Sequence, residues 1–325
     1  MTRNSYQAIN KPPVPIALGA MYFGTRVDEP ISFEVLDHFV AAGGTVIDTA
    51  NNYSFWSSES GYGGQSEGVI GRWLSSNPGV RENLVISTKV GAEPTVAGRW
   101  PESREGLSAQ AIADGVKGSL DRLGIDRIDL YWAHMEDRSV ELAETVLALG
   151  ELVTEGIVGR LGVSNHPTWR VERARQIAAS RGLEGYTALQ LSYSYLQPRP
   201  FAPVEGQDHR SGFVTAETLD YVTENPEMAL WAYTPLLSGA YVRPDRPLQE
   251  AYEHPGTVRR LAVLDEIAAD LGATRNQVVL AWLTGGQPAI TPIVGVSSVV
   301  QLDEAMAGVS LSLTPEQRQR LDAAT

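Results

Sequence analysis

The stretch Ile128-Asp129-Leu130-Tyr131-Trp132-Ala133-His134 decides the architecture. It is short, dominated by apolar and aromatic side chains, and runs into a polar residue at its C-terminal end. That is the pattern of a strand covered on both faces. An amphipathic run over Val140–Glu155 follows, and then a second apolar run, Gly159–Ser164. A helix between two buried strands is the repeating unit of a parallel α/β sheet.

Outward from this unit the alternation continues to both ends. Strands are expected upstream at Val14–Leu18, Thr45–Asp48 and Leu84–Lys89, and downstream at Ala188–Ser192, Ala229–Tyr233 and Ile290–Val294. Amphipathic helices are expected at Ser32–Ala42, Ser66–Leu74, Ser108–Leu123 and Thr168–Ser180, then at Thr215–Glu224, Thr257–Leu271, Thr274–Thr284 and Val299–Ala307. Ser32 reads as an N-cap and Gly43-Gly44 as a left-handed stop. Thr314-Pro315-Glu316 opens a last helix with a cap and a proline in its first turn. About eight strand–helix units is the number that closes a parallel barrel. An open doubly wound sheet would carry a glycine-rich phosphate turn after its first strand, and Gly19-Ala20-Met21 is no such turn. The expectation is a (β/α)8 TIM barrel forming one domain over residues 1–325. Its irregular stretches, Ser54–Gln65, Ala92–Gly106, Gln197–Gly212 and Pro235–Pro255, each follow a strand and so share one rim.

Composition excludes several function classes. Hydrophobic residues make up 43% of the 325-residue chain, ordinary for a globular protein. With 26 basic and 39 acidic side chains the net charge is −13, which disfavours non-specific binding to nucleic acid or anionic lipid. Absence of cysteine removes disulfides, thiolate catalysis and Cys-ligated zinc. His38, His134, His166, His209 and His254 are scattered without metal-ligand spacing. The apolar stretch Val14–Gly24 follows Arg3 and Lys11, but Pro12, Pro13 and Pro15 suit the helical core of a signal peptide poorly. A cytoplasmic location is expected, with a small-molecule partner; oligomeric state has no signature in the sequence.

The chemistry lies where buried strands end. The second strand runs into Asp48-Thr49-Ala50-Asn51-Asn52-Tyr53, the third ends at Lys89 and the fourth at His134. In a closed barrel these ends converge on one face. A phenol titrates near pH ~10, too high for neutral-pH chemistry. A neighbouring ammonium lowers that value, and a carboxylate holds the ammonium in place. Lys89 and Asp48 suit those roles, with His134 orienting a substrate carbonyl. Taken singly, Asp48 reads as a turn cap, Lys89 as a solvated strand end, Tyr53 as a surface aromatic and His134 as a core histidine. The set at consecutive strand ends is what carries the functional reading.

Ile47-Asp48-Thr49-Ala50-x-x-Tyr53, Thr88-Lys89, Asp129-Leu130-Tyr131-x-x-His134 and Gly64-x-Ser66-Glu67-x-x-Ile70-Gly71 together resemble the motifs of the aldo-keto reductase superfamily, in order and over nearly the whole chain. The resemblance implies reduction of a carbonyl by hydride from NADPH (or NADH), with Tyr53 as acid and Asp48, Lys89 and His134 in support. It also implies a cofactor site. Gly19 and Met21 would lie under the nicotinamide ribose beside Asp48, Ser164, Asn165 and Gln190 would bind the carboxamide, and Tyr233 would stack on the ring. Leu236 and Gly239 would cover the pyrophosphate, while Gly295, Ser297, Ser298, Gln301 and Glu304 would hold the adenosine end. The family often places Lys or Arg after the eighth strand for a 2′-phosphate, yet Val294 to Gln301 has none; Arg243 or Arg275 would have to supply that contact. Tyr22, Trp56, Trp132 and Met135 are expected to wall the substrate pocket, although aromatics of this kind also build barrel cores. The proline-rich loop Gln197–Gly212, with Asp208, His209 and Arg210, reads as a specificity loop or lid. Two other classes use part of the same set: an aldolase-like barrel with a Schiff base on Lys89, and a nicotinamide-binding regulatory subunit without turnover.

Overall fold

The computed structural model describes Ile9 and residues 12–207 and 209–324. Arg3, Lys11 and Asp208, singled out above, lie outside the described residues. Eight parallel strands close on themselves in sequence order: β1 (Ala17–Gly19), β2 (Val46–Asp48), β3 (Val85–Val90), β4 (Ile128–Ala133), β5 (Val158–Ser164), β6 (Tyr186–Ser192), β7 (Ala229–Tyr233) and β8 (Thr291–Gly295). The circle is completed by β8 pairing with β1, Val294 opposite Leu18 and Gly295 opposite Gly19. The chain is therefore a (β/α)8 barrel.

Between strands run α1 (Glu29–Ala41), α2 (Gln65–Ser76), α3 (Ala109–Leu123), α4 (Leu142–Thr154) and α5 (Thr168–Ser180). They are followed by α6 (Ala216–Glu224), α7 (Pro255–Leu271) and α8 (Arg275–Thr284), then α9 (Val299–Ser310) and α10 (Pro315–Ala323). The expected opening of the first helix is corrected. Its cap is Asp28, whose carboxylate accepts from the Ile31 N–H at 3.0 Å, with Pro30 in the first turn. Ser32 lies inside the helix and turns its hydroxyl back onto the Asp28 carbonyl at 2.7 Å. Two carboxyl-type residues ahead of a proline were the stronger start signal. Thr314 caps α10 as expected, forming a capping box with Gln317.

Strand side chains alternate between a layer packed under the helices and the barrel interior. Val46, Val85, Leu130, Trp132, Ala188, Trp231 and Ile293 fill the interior, closed from below by Ile9. Trp132 and Trp231 meet edge to face with ring centroids 5.3 Å apart, a favoured aromatic geometry. The interior is thus a packed core, and its upper layer supplies the site. Two residues above Val46 is Asp48, two above Ser87 is Lys89, and two above Trp132 is His134. Among the described residues no helix is long and apolar enough to cross a membrane.

Candidate active site

Lys89 is fully buried and its ammonium is completely spent. It donates to Asp48 Oδ2 at 2.6 Å, to the Thr49 carbonyl at 2.7 Å and to Tyr53 Oη at 2.9 Å. Three N–H donors meet three acceptors, the full capacity of an ammonium. Burial pulls the Lys89 pKa down, while Asp48 opposes that by charge and hydrogen bond. The saturated donor set favours the protonated form. Because Tyr53 Oη accepts from Lys89, its own O–H remains to be donated elsewhere.

Asp48 is held from its other side. Ser87 Oγ donates to Oδ1 at 2.8 Å and Gln190 Nε2 does so at 3.2 Å. The Trp132 indole donates to Ser87 Oγ at 2.6 Å. This corrects the expected place of Trp132. It is wholly buried one layer below His134, supporting Asp48 through Ser87, and forms no part of the pocket wall. Strand parity explains both findings: Trp132 precedes His134 by two residues and Ser87 precedes Lys89 by two, so each lies inward and one layer deeper.

The lowering of the Tyr53 phenol expected from Lys89 is outweighed. Burial, and then the charge of Asp48, hold it well above the ordinary tyrosine value. Tyr53 is therefore a neutral phenol, the form required of a proton donor. His134 packs edge on against the Tyr53 ring, with centroids 5.9 Å apart. Burial and the Lys89 charge push its imidazole well below the usual histidine range, so it is neutral. Its Nδ1 is buried without a partner among the described residues. A lone pair there costs less than an unpaired N–H, which places the ring proton on Nε2.

Beside this group lie the ends of β5 to β7. Asn165 adopts a left-handed backbone at φ 60°. Its Nδ2 donates to the His134 carbonyl at 3.0 Å, Ser164 Oγ at 3.1 Å and Met135 Sδ at 3.4 Å. Tyr233 Oη lies 2.8 Å from Asn165 Oδ1 and 2.6 Å from Gln207 Oε1. The loop over 197–212 is thus fastened to the site at Tyr233. A second fastening is His209 Nε2, 3.3 Å from Glu136 Oε2, a buried carboxylate that also pairs with Arg170 at 3.2 Å. Gln207 had no signal in the sequence, because it lies in an irregular loop.

The remaining residues expected to hold a dinucleotide lie along the rest of the rim. At Gly19 an added Cβ would meet Ile293 Cγ2 at 3.0 Å, whereas Gly295 is exposed. Thr234, Leu237 and Ser238 have positive φ, and Gly239 follows at 95° beside half-buried Leu236. Such strain in non-glycine residues concentrates at functional loops. Ser298 caps α9, and Ser297 N–H donates to Gln301 Oε1 at 2.8 Å. A helix start of this kind attracts phosphate. Glu304 is engaged by Thr274 Oγ1 at 2.6 Å. Both arginines named for a 2′-phosphate are paired: Arg243 with Asp245 at 2.5 Å and Arg275 with Asp265 at 2.5 Å.

On the far side of the mouth Tyr22, Trp56, Phe55 and Trp100 form a strip of rings. Tyr22 to Trp56 is 6.4 Å, Phe55 to Trp56 is 4.9 Å and Phe55 to Trp100 is 5.5 Å between centroids. Trp56 is 42% exposed. Met135 lies at the end of β4 and is 8% exposed.

Comparison with known proteins agrees with this geometry. The Aldo/keto reductase family model matches residues 15–325. Norsolorinic acid reductase B of Aspergillus parasiticus is 31% identical over 95% of this chain and 80% of its own length. Aryl-alcohol dehydrogenase GME11368 of Pestalotiopsis microspora is 28% identical over 95% and 78%. The uncharacterized oxidoreductase YrpG of Bacillus subtilis is 29% identical over 93% and 89%. An acid–ammonium–phenol chain at the ends of β2 and β3, a neutral imidazole at the end of β4 and a match over almost the whole chain converge on one conclusion: the protein belongs to the aldo/keto reductase family.

Proposed function

We propose that this oxidoreductase reduces an aldehyde or ketone to the alcohol with NAD(P)H, and that Tyr53 is the proton donor. The observation carrying the proposal is the direction of the Lys89–Tyr53 hydrogen bond, which leaves the phenol O–H free for a substrate oxygen. A bound reduced nicotinamide supplies hydride to the carbonyl carbon. Gly19, Met21, Ser164, Asn165, Gln190 and Tyr233 suit its nicotinamide end, and Leu236, Gly239, Gly295, Ser297, Ser298, Gln301 and Glu304 suit the rest.

This chain's own part is to hold and move one proton. Lys89 and Asp48 fix the phenol oxygen. As the carbonyl oxygen gains charge, Tyr53 transfers its proton to it, and the adjacent ammonium stabilises the phenolate left behind. The Nε2–H of His134 orients that oxygen. A Schiff base on Lys89 finds no support in an amine whose three donors are all engaged.

NADPH is the favoured cofactor by family resemblance, with Arg243 or Arg275 released from its carboxylate to meet the 2′-phosphate. The ring strip Tyr22–Trp56–Phe55–Trp100 favours aromatic carbonyl substrates. The test is NAD(P)H oxidation with aromatic aldehydes, alongside tryptophan fluorescence titration with each cofactor. Cofactor binding without turnover of any carbonyl would favour a regulatory binding protein instead.

A further inference from the structure

Beneath the Tyr53 loop lie two glutamates that the tetrad chemistry leaves unused. Glu105 stands in the long connection from β3 to α3. One of its oxygens, Oε1, accepts from Asn51 Nδ2 at 2.8 Å, from Gly91 N–H at 2.7 Å and from Glu93 N–H at 3.2 Å. Asn51 is two residues before Tyr53, and Gly91 is two residues after Lys89. A single carboxylate oxygen therefore joins the chain that carries the phenol to the chain that carries the ammonium. Backbone pairing between those chains is tight at Thr49 N–H to the Ser87 carbonyl, 2.8 Å, and lengthens towards the phenol, Asn51 N–H to the Lys89 carbonyl being 3.3 Å.

Glu105 is itself anchored. Its N–H donates to the Glu93 carbonyl at 2.9 Å, and the neighbouring residues Pro94 and Arg104 form an antiparallel bridge. Among the described residues it has no salt-bridge partner. Hydrogen bonds from the Asn51 amide and two backbone N–H groups are what satisfy it, as a partly buried carboxylate requires.

We propose that Glu105 is a positioning residue, a bracket that fixes the loop 49–53 against the end of β3 and so sets the Lys89–Tyr53 contact. It touches neither substrate nor cofactor. The proposal rests on the reading of Tyr53 as proton donor. A loosened bracket lets the phenol move relative to its ammonium, and a misplacement of about 1 Å in a reacting group costs up to about 10²-fold in rate.

The test compares Glu105→Ala, Glu105→Gln, Asn51→Ala and the Glu105→Ala/Asn51→Ala double variant of the full chain, using NADPH and 4-nitrobenzaldehyde. Glu105→Ala is expected to lower kcat by about 10- to 100-fold while KM and cofactor affinity change less than about twofold. Glu105→Gln keeps an acceptor oxygen for the same donors and should stay within about threefold of wild type. Asn51→Ala should match Glu105→Ala, and the double variant should be no worse than the poorer single one, because both remove one link. The proposal is overturned if Glu105→Ala keeps wild-type kcat, if its loss comes with weakened cofactor binding, or if the two losses add. If the wild type reduces no aldehyde, the reductase reading fails, and the bracket is judged separately by carbon-13 labelling of tyrosine Cζ. The Tyr53 resonance, identified by its loss in Tyr53→Phe, must shift in Glu105→Ala and Asn51→Ala but not in Glu105→Gln; an unmoved resonance defeats the proposal.

Discussion

The two halves of the barrel mouth are built on different terms. On the side of β2 to β4, Lys89, Asp48, Ser87 and Trp132 are buried, and each is joined to the next by a bond of 2.6–2.8 Å. On the side of β7 and β8, Arg243 and Arg275 are tied to Asp245 and Asp265, both exposed carboxylates. The first half is preorganised, so little is left to rearrange when the reaction begins. The second has its charges paired at the surface, and under the proposed function NADPH would have to exchange partners there. The contrast is between a buried, fully bonded cluster and exposed ion pairs that can be exchanged.

The largest break in this contrast comes from Tyr53→Phe, which removes the proton together with one of the three acceptors of the Lys89 ammonium. A fall in kcat of about 10²–10⁴ is expected, with NADPH affinity unchanged by fluorescence titration. Turnover at the wild-type rate would remove Tyr53 from its role. Next is Asp48→Ala, which strands the Lys89 ammonium at zero exposure. Losing one partner of a buried pair costs about 3–5 kcal/mol, so denaturant unfolding should show a clearly lower midpoint as well as lost activity. An unchanged midpoint would mean that Lys89 is neutral.

On the adjustable side, Asp245→Ala and Asp265→Ala free the two arginines without touching the tetrad. Each should tighten NADPH relative to NADH by about threefold at low salt, fading as salt rises. Equal tightening of both cofactors would show that the freed charge meets the shared pyrophosphate and not the 2′-phosphate. The smallest effect concerns Glu93, whose carboxyl is pushed up to about 7, chiefly by burial. A raised acid favours the folded state while protonated. Its contribution is complete below the unfolded carboxylate pKa and is lost as pH rises through about 7. Glu93→Gln should therefore match wild type near pH ~4.5 and exceed its Tm by about 2 °C at pH 8. An equal Tm at both pH values would place Glu93 in an ordinary environment.

How much of this was legible in the sequence follows the same division. The β2 to β4 half could be read because strand residues obey a period of two, so Asp48, Lys89 and His134 at strand ends had to converge. The same period also placed Ser87 and Trp132, one layer deeper; assigning Trp132 to the pocket wall overlooked that parity. Glu105 and Gln207 were not legible. Both lie in irregular connections, where sequence spacing sets no direction for a side chain. The sign of the Tyr53 shift was missed because it depends on how deeply Asp48 and the phenol are buried together, a quantity no local motif contains.

The indole of Trp132 is one hydroxyl away from the Asp48 carboxylate. A replacement that disturbs the packed interior at Trp132 is therefore transmitted through Ser87 to Asp48 and its Lys89 partner. The loops after the strands are not tied in this way, and Trp56 and Phe201 stand exposed there at 42% and 99%. Those positions can be replaced at small cost to the barrel, which makes them the place to direct mutagenesis towards a different substrate under the proposed function.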